Sequence, residues 1–258
     1  MTSKYLKNFE ELNTTTDSIY DLGDNQVLII LKDGTNLTDW EDVDEREDVL
    51  YVSEDLSDCT NLMSKYRWFS YLEAVVASNV TAKVTKLVAM FDGCWRLKEV
   101  SPIDWDISGV TDMSHMFANC DSLEDFSFLS DWDVSNVNLM EFMFNSCESM
   151  MDLSALSDWN VCNVRSMDDM FGYCANLEDI SALSEWDVSN LASAEGLFFY
   201  CTSLRDVSAL SNWDVSKLNE WGIGGMFEGC YYGLDLSFFK DLNHEALWDR
   251  SWNFAGWR

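Results

Sequence analysis

The sequence predicts an α/β repeat protein, because one phrase of sequence recurs every 27 residues. The phrase Trp-Asp-Val-Ser, or a close variant, begins at five evenly spaced tryptophans, Trp105, Trp132, Trp159, Trp186 and Trp213. A phenylalanine follows each of the first four tryptophans by twelve residues, and a cysteine follows each phenylalanine by three, at Phe117, Phe144, Phe171 and Phe198 and at Cys120, Cys147, Cys174 and Cys201. A fixed period of about 20–50 residues is typical of solenoids, propellers and arrays. Residues that return in one phase are predicted to form the structural core.

Within one repeat the apolar spacing predicts three elements. Met113, Met116, Phe117 and Cys120 recur at three, four and seven residues, which predicts a short helix of about two turns. The partly alternating stretch 123–129 predicts a short strand, and 130–137, which has turn residues at both ends, predicts a second extended segment. Stacked repeats would then align one or two short parallel strands each, beside a short helix.

Weaker repeats extend the array from residue 54 to the C-terminus, so we expect about eight turns. The predicted division is an N-terminal cap of helix and hairpin over 1–50, and a repeat solenoid over 51–258 whose C-terminal end is irregular. Residues 5–12 have a helical apolar face, while 27–31 and 36–40 flank a Lys-Asp-Gly-Thr turn and predict a hairpin. A separate docking element is the alternative for this N-terminal part.

The acidic composition excludes several classes of partner. The chain has 46 Asp and Glu against 16 Lys and Arg, a formal net charge of −30, and 47% hydrophobic residues, enough for a continuous core. Such a charge repels nucleic acid and anionic lipid. It suits high solubility, a basic partner, bound cations or a saline setting, and these four remain open.

Targeting and catalytic motifs are absent from the sequence. The N-terminus does not follow the pattern of a signal peptide, and no apolar run approaches the length of about 18–20 residues that spans a membrane. The sequence by itself therefore predicts a cytoplasmic protein. No P-loop, GxGxxG, GxSxG or HExxH motif occurs, so we expect no enzyme activity and no cofactor.

The cysteines of the repeat are predicted to be free, buried thiols. They share one phase, and neighbouring repeats would bring their Cα atoms about 5 Å apart, a distance that also permits disulfides. Free cysteine is among the most buried residue types, and reducing surroundings fit a chain without a leader. A zinc site is disfavoured because the sequence has no CxxC pair and no histidine in phase.

Two rows of aspartates accompany the core residues. One follows the tryptophans directly, and the other precedes a row of serines by two residues. We expect these carboxylates to cap turns by accepting hydrogen bonds from nearby backbone N–H groups. The alternative is calcium held between stacked carboxylates, for which the weak candidates are Asp125, Asp152, Asp179 and Asp206.

Positions that vary while their neighbours repeat are the candidates for recognition. The fifth residue after the repeated valine changes freely and is predicted to be exposed, as at His115, Phe142, Asp169 and Trp252. The C-terminal end breaks the period and concentrates glycines with aromatic residues, which adds Trp221, Tyr231 and Tyr232 as binding candidates. A terminal cap is the alternative for that end.

The phrases WDVSNV, VTDMSHMFANCDSL and LEDISALSEWDVSN resemble the BspA-like leucine-rich repeats, in the short repeat type typified by mycoplasma surface lipoproteins. The resemblance covers residues 54–258 and is strongest over 105–220. It implies a right-handed leucine-rich-repeat-like solenoid, a cell-surface location and a role in adhesion or protein binding. It carries over no catalytic residue.

The sequence and this resemblance together favour a non-enzymatic binding protein. Its solenoid surface would engage a protein or surface glycan, and its acidic charge suits a basic partner, without nucleic acid binding or membrane insertion. The alternative is a structural or decoration subunit of a larger assembly, for which self-assembly is possible.

Overall fold

The structure is a computed structural model that describes residues 27–31, 36–37, 49–218, 222–240 and 242–249. The helix predicted at 5–12 and the binding candidates Trp221 and Trp252 lie outside these ranges. Within them, no helix is long and apolar enough to cross a membrane.

A five-stranded mixed sheet begins the described part. Its strands are β1 (Val27–Leu31), β2 (Asn36–Leu37), β3 (Val49–Asp55), β4 (Ala74–Ser78) and β5 (Glu99–Ile103), in the order β2-β1-β3-β4-β5. Strand β1 pairs antiparallel with both β2 and β3, which confirms the predicted hairpin, whereas β3, β4 and β5 pair in parallel. Successive apolar strands therefore start the stacking of repeats.

Outside this sheet, the strand-like pairing between repeats consists of single parallel bridges instead of continuous strands. Four bridges form one line, from Lys86 to Asp112, Leu139, Ser166 and Ser193, and a fifth joins Asp152 to Asp179. The strand predicted at 123–129 is therefore wrong, because that stretch ends in the 3₁₀ helix Ser127–Leu129. Further 3₁₀ helices follow at Ser154–Leu156, Ser181–Glu185, Ser208–Asn212 and Ala246–Trp248. The second extended segment, 130–137, consists of turns and irregular backbone.

The helix predicted from Met113 to Cys120 is also wrong, because this segment is a chain of tight turns. His115 and Asn119 have φ of 60° and 58°, in the left-handed region that an α-helix cannot include. The N–H groups of Met116 and Cys120 bond to carbonyls three residues back, at 3.1 and 3.2 Å. Apolar spacing of three and four residues fits such turns as well as it fits a helix.

The N–H groups between these local bonds point to the next repeat. Met113, His115 and Phe117 donate to the carbonyls of Leu139, Glu141 and Met143 at 2.8–3.0 Å. The backbone thus alternates between bonds within a repeat and bonds to the following repeat. Neighbouring repeats are therefore tied together by main-chain bonds that do not depend on side-chain identity.

The core is a column of repeated side chains that runs through the stack. The phenylalanine rings of successive repeats stack with centroids 5.3–5.8 Å apart and interplanar angles of 3–11°, at Phe91, Phe117, Phe144, Phe171, Phe198 and Phe227. The repeat tryptophans from Trp132 to Trp213 are buried, and Trp105 is partly buried against the same core. Four of them, Trp105, Trp159, Trp186 and Trp213, donate from Nε1 to a carbonyl of the preceding repeat at 2.9–3.1 Å.

Candidate recognition surface

Each repeat contains two left-handed residues four positions apart, and these residues form two rows along the stack. The first left-handed row comprises Ser64, Ala89, His115, Phe142, Asp169, Gly196 and Gly225. The second left-handed row comprises Trp68, Gly93, Asn119, Ser146, Tyr173, Tyr200 and Gly229. Glycine, asparagine and aspartate tolerate this conformation best, so backbone geometry explains part of what both rows contain.

The first left-handed row holds three of the residues predicted from the sequence to bind. His115 and Phe142 are half-buried and stack on each other with ring centroids 4.7 Å apart and an interplanar angle of 6°. Asp169 is only 3% exposed, so its predicted exposure is wrong. Residue identity varies along this row because several residue types accept a positive φ. The variation therefore does not show that these side chains contact solvent.

Exposed aromatic side chains lie in the second left-handed row and, at two positions, directly after a cysteine of the buried ladder, which comprises Cys94, Cys120, Cys147, Cys174, Cys201 and Cys230. We call Trp68, Trp95, Tyr173, Tyr200 and Tyr231 the aromatic edge. Their side chains are 44–51% exposed. Tyr173 stacks on Tyr200 with centroids 5.6 Å apart, and Trp68 meets Trp95 edge-on at 6.3 Å. Of these residues, only Tyr231 was predicted from the sequence to bind.

Three members of the aromatic edge occupy strained backbone positions. Trp68, Tyr173 and Tyr200 have φ of 65°, 61° and 58°. A left-handed conformation costs a residue with a β-carbon roughly 1–2 kcal/mol. Equivalent positions in other repeats carry glycine, asparagine or serine, which shows that the fold does not need a large ring there. The sequence signal was therefore present, as bulky residues in a row that otherwise holds small or polar ones.

Glycine backbones of the next repeat cover one face of two of these rings. A β-carbon at Gly93 would lie 2.2 Å from Trp68 Cε3, and one at Gly229 would lie 2.6 Å from Tyr200 Cδ2, so each ring lies flat on a glycine of the next repeat. Sugar rings bind by stacking on open aromatic faces. An array of ring edges and hydroxyl groups is better suited to packing against a protein surface.

The C-terminal candidates Tyr231 and Tyr232 are exposed but lie in different contacts. The guanidinium of Arg205 lies 4.9 Å from the ring centroid of Tyr231, in a cation–π contact. Tyr232 is 82% exposed and stacks on Trp248 at 5.2 Å. Only Tyr231, which follows a ladder cysteine as Trp95 does, extends the aromatic edge.

All eight cysteines are free, and six of them form a buried ladder. The Sγ atom of each ladder cysteine donates to a carbonyl of the preceding repeat at 3.0–3.3 Å. Burial raises the pKa of the Cys174 and Cys230 thiols to about 12. Since the thiolate is the reactive form, this ladder is a packing element with little nucleophilic character.

The aspartates cap turns, as the sequence predicts. In the row that includes the calcium candidates, Oδ1 accepts the N–H of the serine two residues later at 2.8–3.0 Å, at Asp125, Asp152, Asp179, Asp206 and Asp235. Hydrogen bonds from the Ser154 hydroxyl and N–H lower the pKa of Asp152. Within the described ranges, no three His, Cys, Asp or Glu side chains are placed to hold a metal ion.

These titratable groups predict a stability maximum at intermediate pH. Above about pH 9 the unfolded chain loses thiol protons that buried Cys147 and Cys174 retain, so the free energy of unfolding falls as pH rises towards 12. Below about pH 3.8, protonation of hydrogen-bonded carboxylates such as Asp152 lowers the free energy of unfolding again.

Urea denaturation from pH 3 to 10.5 measures the decline of this free energy at both acidic and alkaline pH. The Cys147→Ala/Cys174→Ala variant should decline less steeply above pH 9, and an unchanged slope would contradict the role of the thiols.

Comparison with known proteins places the chain in a family whose function is unknown. No curated protein matches the chain. Among solved structures, it is similar to a leucine rich cell surface protein from Faecalibacterium prausnitzii A2-165, with 19% sequence identity and a TM-score of 0.38 over 72% of this chain. That similarity covers 47% of the other protein, so the chain spans about half its length. The family described as "Mycoplasma protein of unknown function, DUF285" matches residues 57–171 and 123–237, which together make up more than half of the sequence. The chain belongs to this DUF285 family.

Proposed function

We propose that this protein is a non-enzymatic, adhesion-type binding protein that contacts its partner through the aromatic edge. In this proposal, residues 51–258 form a right-handed leucine-rich-repeat-like solenoid of about eight turns, which residues 1–50 cap. The rigid stack would hold the recognition residues in place, so that little conformational entropy is lost on binding.

One observation carries the proposal. Trp68, Tyr173 and Tyr200 combine a positive φ with 44–48% exposure, at positions where other repeats have small or polar residues. Strained residues that the fold does not require are frequent at binding sites. Tyrosine and tryptophan are also the residue types that most often dominate the energy of protein interfaces.

A protein partner is favoured over a glycan because of how the rings are arranged. Glycine backbones cover one face of Trp68 and of Tyr200, and Tyr173 stacks on Tyr200. The covered faces are closed to a sugar ring, whereas the exposed ring edges and hydroxyl groups can pack against a protein surface. A glycan remains the alternative partner, and a larger assembly of identical subunits remains the alternative function.

Photo-crosslinking tests the proposal. A benzoylphenylalanine in place of Tyr200 is expected to crosslink a discrete protein from a surface extract of the source cells, and excess wild-type protein should compete. The Tyr173→Asn/Tyr200→Asn variant should compete at least about tenfold more weakly, since interface tyrosines commonly contribute 2 kcal/mol or more.

Met63→Asn is the matched control, because Met63 is a similarly exposed apolar side chain outside the aromatic edge. It should compete like the wild type. Equal competition by the tyrosine variant would contradict the proposal. Binding to a glycan array that the tyrosine variant abolishes would assign a glycan partner, and crosslinks only between identical chains would assign the assembly function.

A further inference from the structure

An open groove of about 770 Å³ is lined by residues of three successive repeats, beside the 3₁₀ helices Ser127–Leu129 and Ser154–Leu156. This volume is in the range of sites that bind small molecules or side chains, roughly 300–1,000 Å³. A smaller recess of about 370 Å³ continues past Met151 and Asp152 to the next repeat. The groove and the recess share Met151, Asp152, Ser154 and Glu178 in their linings.

The charged side chains that line the groove are all acidic. Glu124, Asp125, Asp152 and Glu178 line it, and no Lys or Arg does. Asp125 and Asp152 each use one carboxylate oxygen to cap a turn, which leaves the other oxygen, and both glutamates, for a ligand. The surrounding segment 101–218 contains 21 Asp and Glu against 3 Lys and Arg, so the field around the groove is negative as well.

Two apolar side chains, Met151 and Phe126, also line the groove. Met151 is 58% exposed and occupies a position that holds Glu124, Glu178 or Arg205 in the neighbouring repeats. Phe126, at the position of Leu153 and Ile180, adds a ring to the lining. An exposed methionine in such an acidic surface offers a contact for an aliphatic chain.

Two residues of the groove lining lie close in sequence to the second left-handed row, to which Tyr173 belongs. Asn176 lines the groove and follows Tyr173 by three residues, and Ser149 lines it at the same position of the preceding repeat. The Oγ atom of Ser149 donates to the Asp121 carbonyl at 2.6 Å, and Nδ2 of Asn176 donates to the Glu148 carbonyl at 2.9 Å, so both side chains are fixed. A partner segment seated on Tyr173 can therefore reach the groove.

We propose that the groove binds an arginine or lysine side chain of an extended segment of the partner protein. The aliphatic part of that side chain packs on Met151 and Phe126, and its cationic head lies among the carboxylates of Glu124, Asp152 and Glu178. This inference rests on the proposed function, because it specifies the chemistry of the same partner. Long cationic side chains commonly pack their methylene groups on apolar surface while the charge stays at a polar rim.

A synthetic probe tests the groove without the natural partner. The full chain is labelled with ¹³C at its methionine methyl groups and titrated with the peptide acetyl-Arg-Leu-Arg-amide. The Met151 methyl signal should shift and saturate, while the buried methionines stay unchanged and report an intact fold. The isosteric citrulline peptide should bind at least about five- to tenfold more weakly, since it lacks the charge.

Charge variants distinguish a specific binding site from nonspecific attraction between the acidic protein and a cationic peptide. Glu124→Gln/Glu178→Gln should weaken the arginine peptide about five- to tenfold, whereas Glu185→Gln, an exposed glutamate outside the groove, should change it less than twofold. Equal effects of both variants, or equal affinity for the citrulline peptide, would overturn the proposal. So would calcium chloride that shifts Met151 and displaces the peptide, because the groove would then be a metal site.

The two proposals fail separately. If the peptide does not shift the Met151 methyl signal, the groove proposal is overturned, whereas partner crosslinking that depends on Tyr173 and Tyr200 can still be observed. Tyrosine variants that do not change capture overturn the proposed function without affecting the methyl titration.

Discussion

Replacement of Phe144 by alanine is expected to lower the free energy of unfolding by about 3–5 kcal/mol. The ring is fully buried and stacks on Phe117 and Phe171 at 5.8 and 5.7 Å, with Phe126 edge-on at 5.5 Å. Truncation would leave a cavity in the middle of a continuous column, where neighbours on both sides are held by backbone bonds and cannot close it. Urea denaturation followed by circular dichroism measures the loss.

Phe142→Ala is the matched control, because it removes the same ring two residues earlier, from a half-buried position of the first left-handed row. Its loss should stay below about 1.5 kcal/mol, since much of this ring contacts solvent and His115. Similar losses at both positions would show that the phenylalanine column is not the main support of the stack.

Removal of one whole repeat is expected to leave a folded protein. Deletion of residues 145–171 joins Phe144 to Gly172, keeps the 27-residue phase and restores the Phe-to-Cys spacing at Cys174. The free energy of unfolding of a repeat protein is roughly the sum of one contribution from each repeat and one from each interface between neighbouring repeats. The shortened stack therefore loses the contributions of one repeat and one interface. Circular dichroism and urea denaturation should show a cooperative transition at a lower midpoint.

A deletion out of phase provides the contrast. Removal of residues 148–171 joins Cys147 to Gly172 and brings Cys174 three residues after Cys147, so that the backbone bonds and the aromatic column no longer align. This variant should show no cooperative transition. Equal behaviour of the two deletions would contradict stacking in register.

The core could be predicted from the sequence because its determinants recur in phase. Trp132, Phe144 and Cys147 return every 27 residues, and the structure places them in a buried column. The helix could not be predicted correctly, because spacing alone does not reveal φ. The positive φ at His115 and Asn119 and the backbone bonds to the next repeat distinguish the tight turns from a helix.

The candidate surface was predicted in part, for a related reason. Variation at the first left-handed row suggested exposure, yet Asp169 is buried, because variation there reflects which residues tolerate the backbone. The second left-handed row carried the better signal, since Tyr173 and Tyr200 stand where Asn119 and Gly229 show what the backbone prefers. Recognising that signal requires the φ values, which the structure supplies.

The most direct test of the account compares stability with binding in one variant, Tyr173→Asn/Tyr200→Asn. Relief of left-handed strain, roughly 1–2 kcal/mol per residue, should largely offset the lost stacking, so the free energy of unfolding should change by no more than about 1 kcal/mol. Competition for the crosslinked partner should meanwhile fall at least about tenfold. A loss of stability as large as that of Phe144→Ala, with partner capture unchanged, would show that the tyrosines belong to the core and would contradict the account.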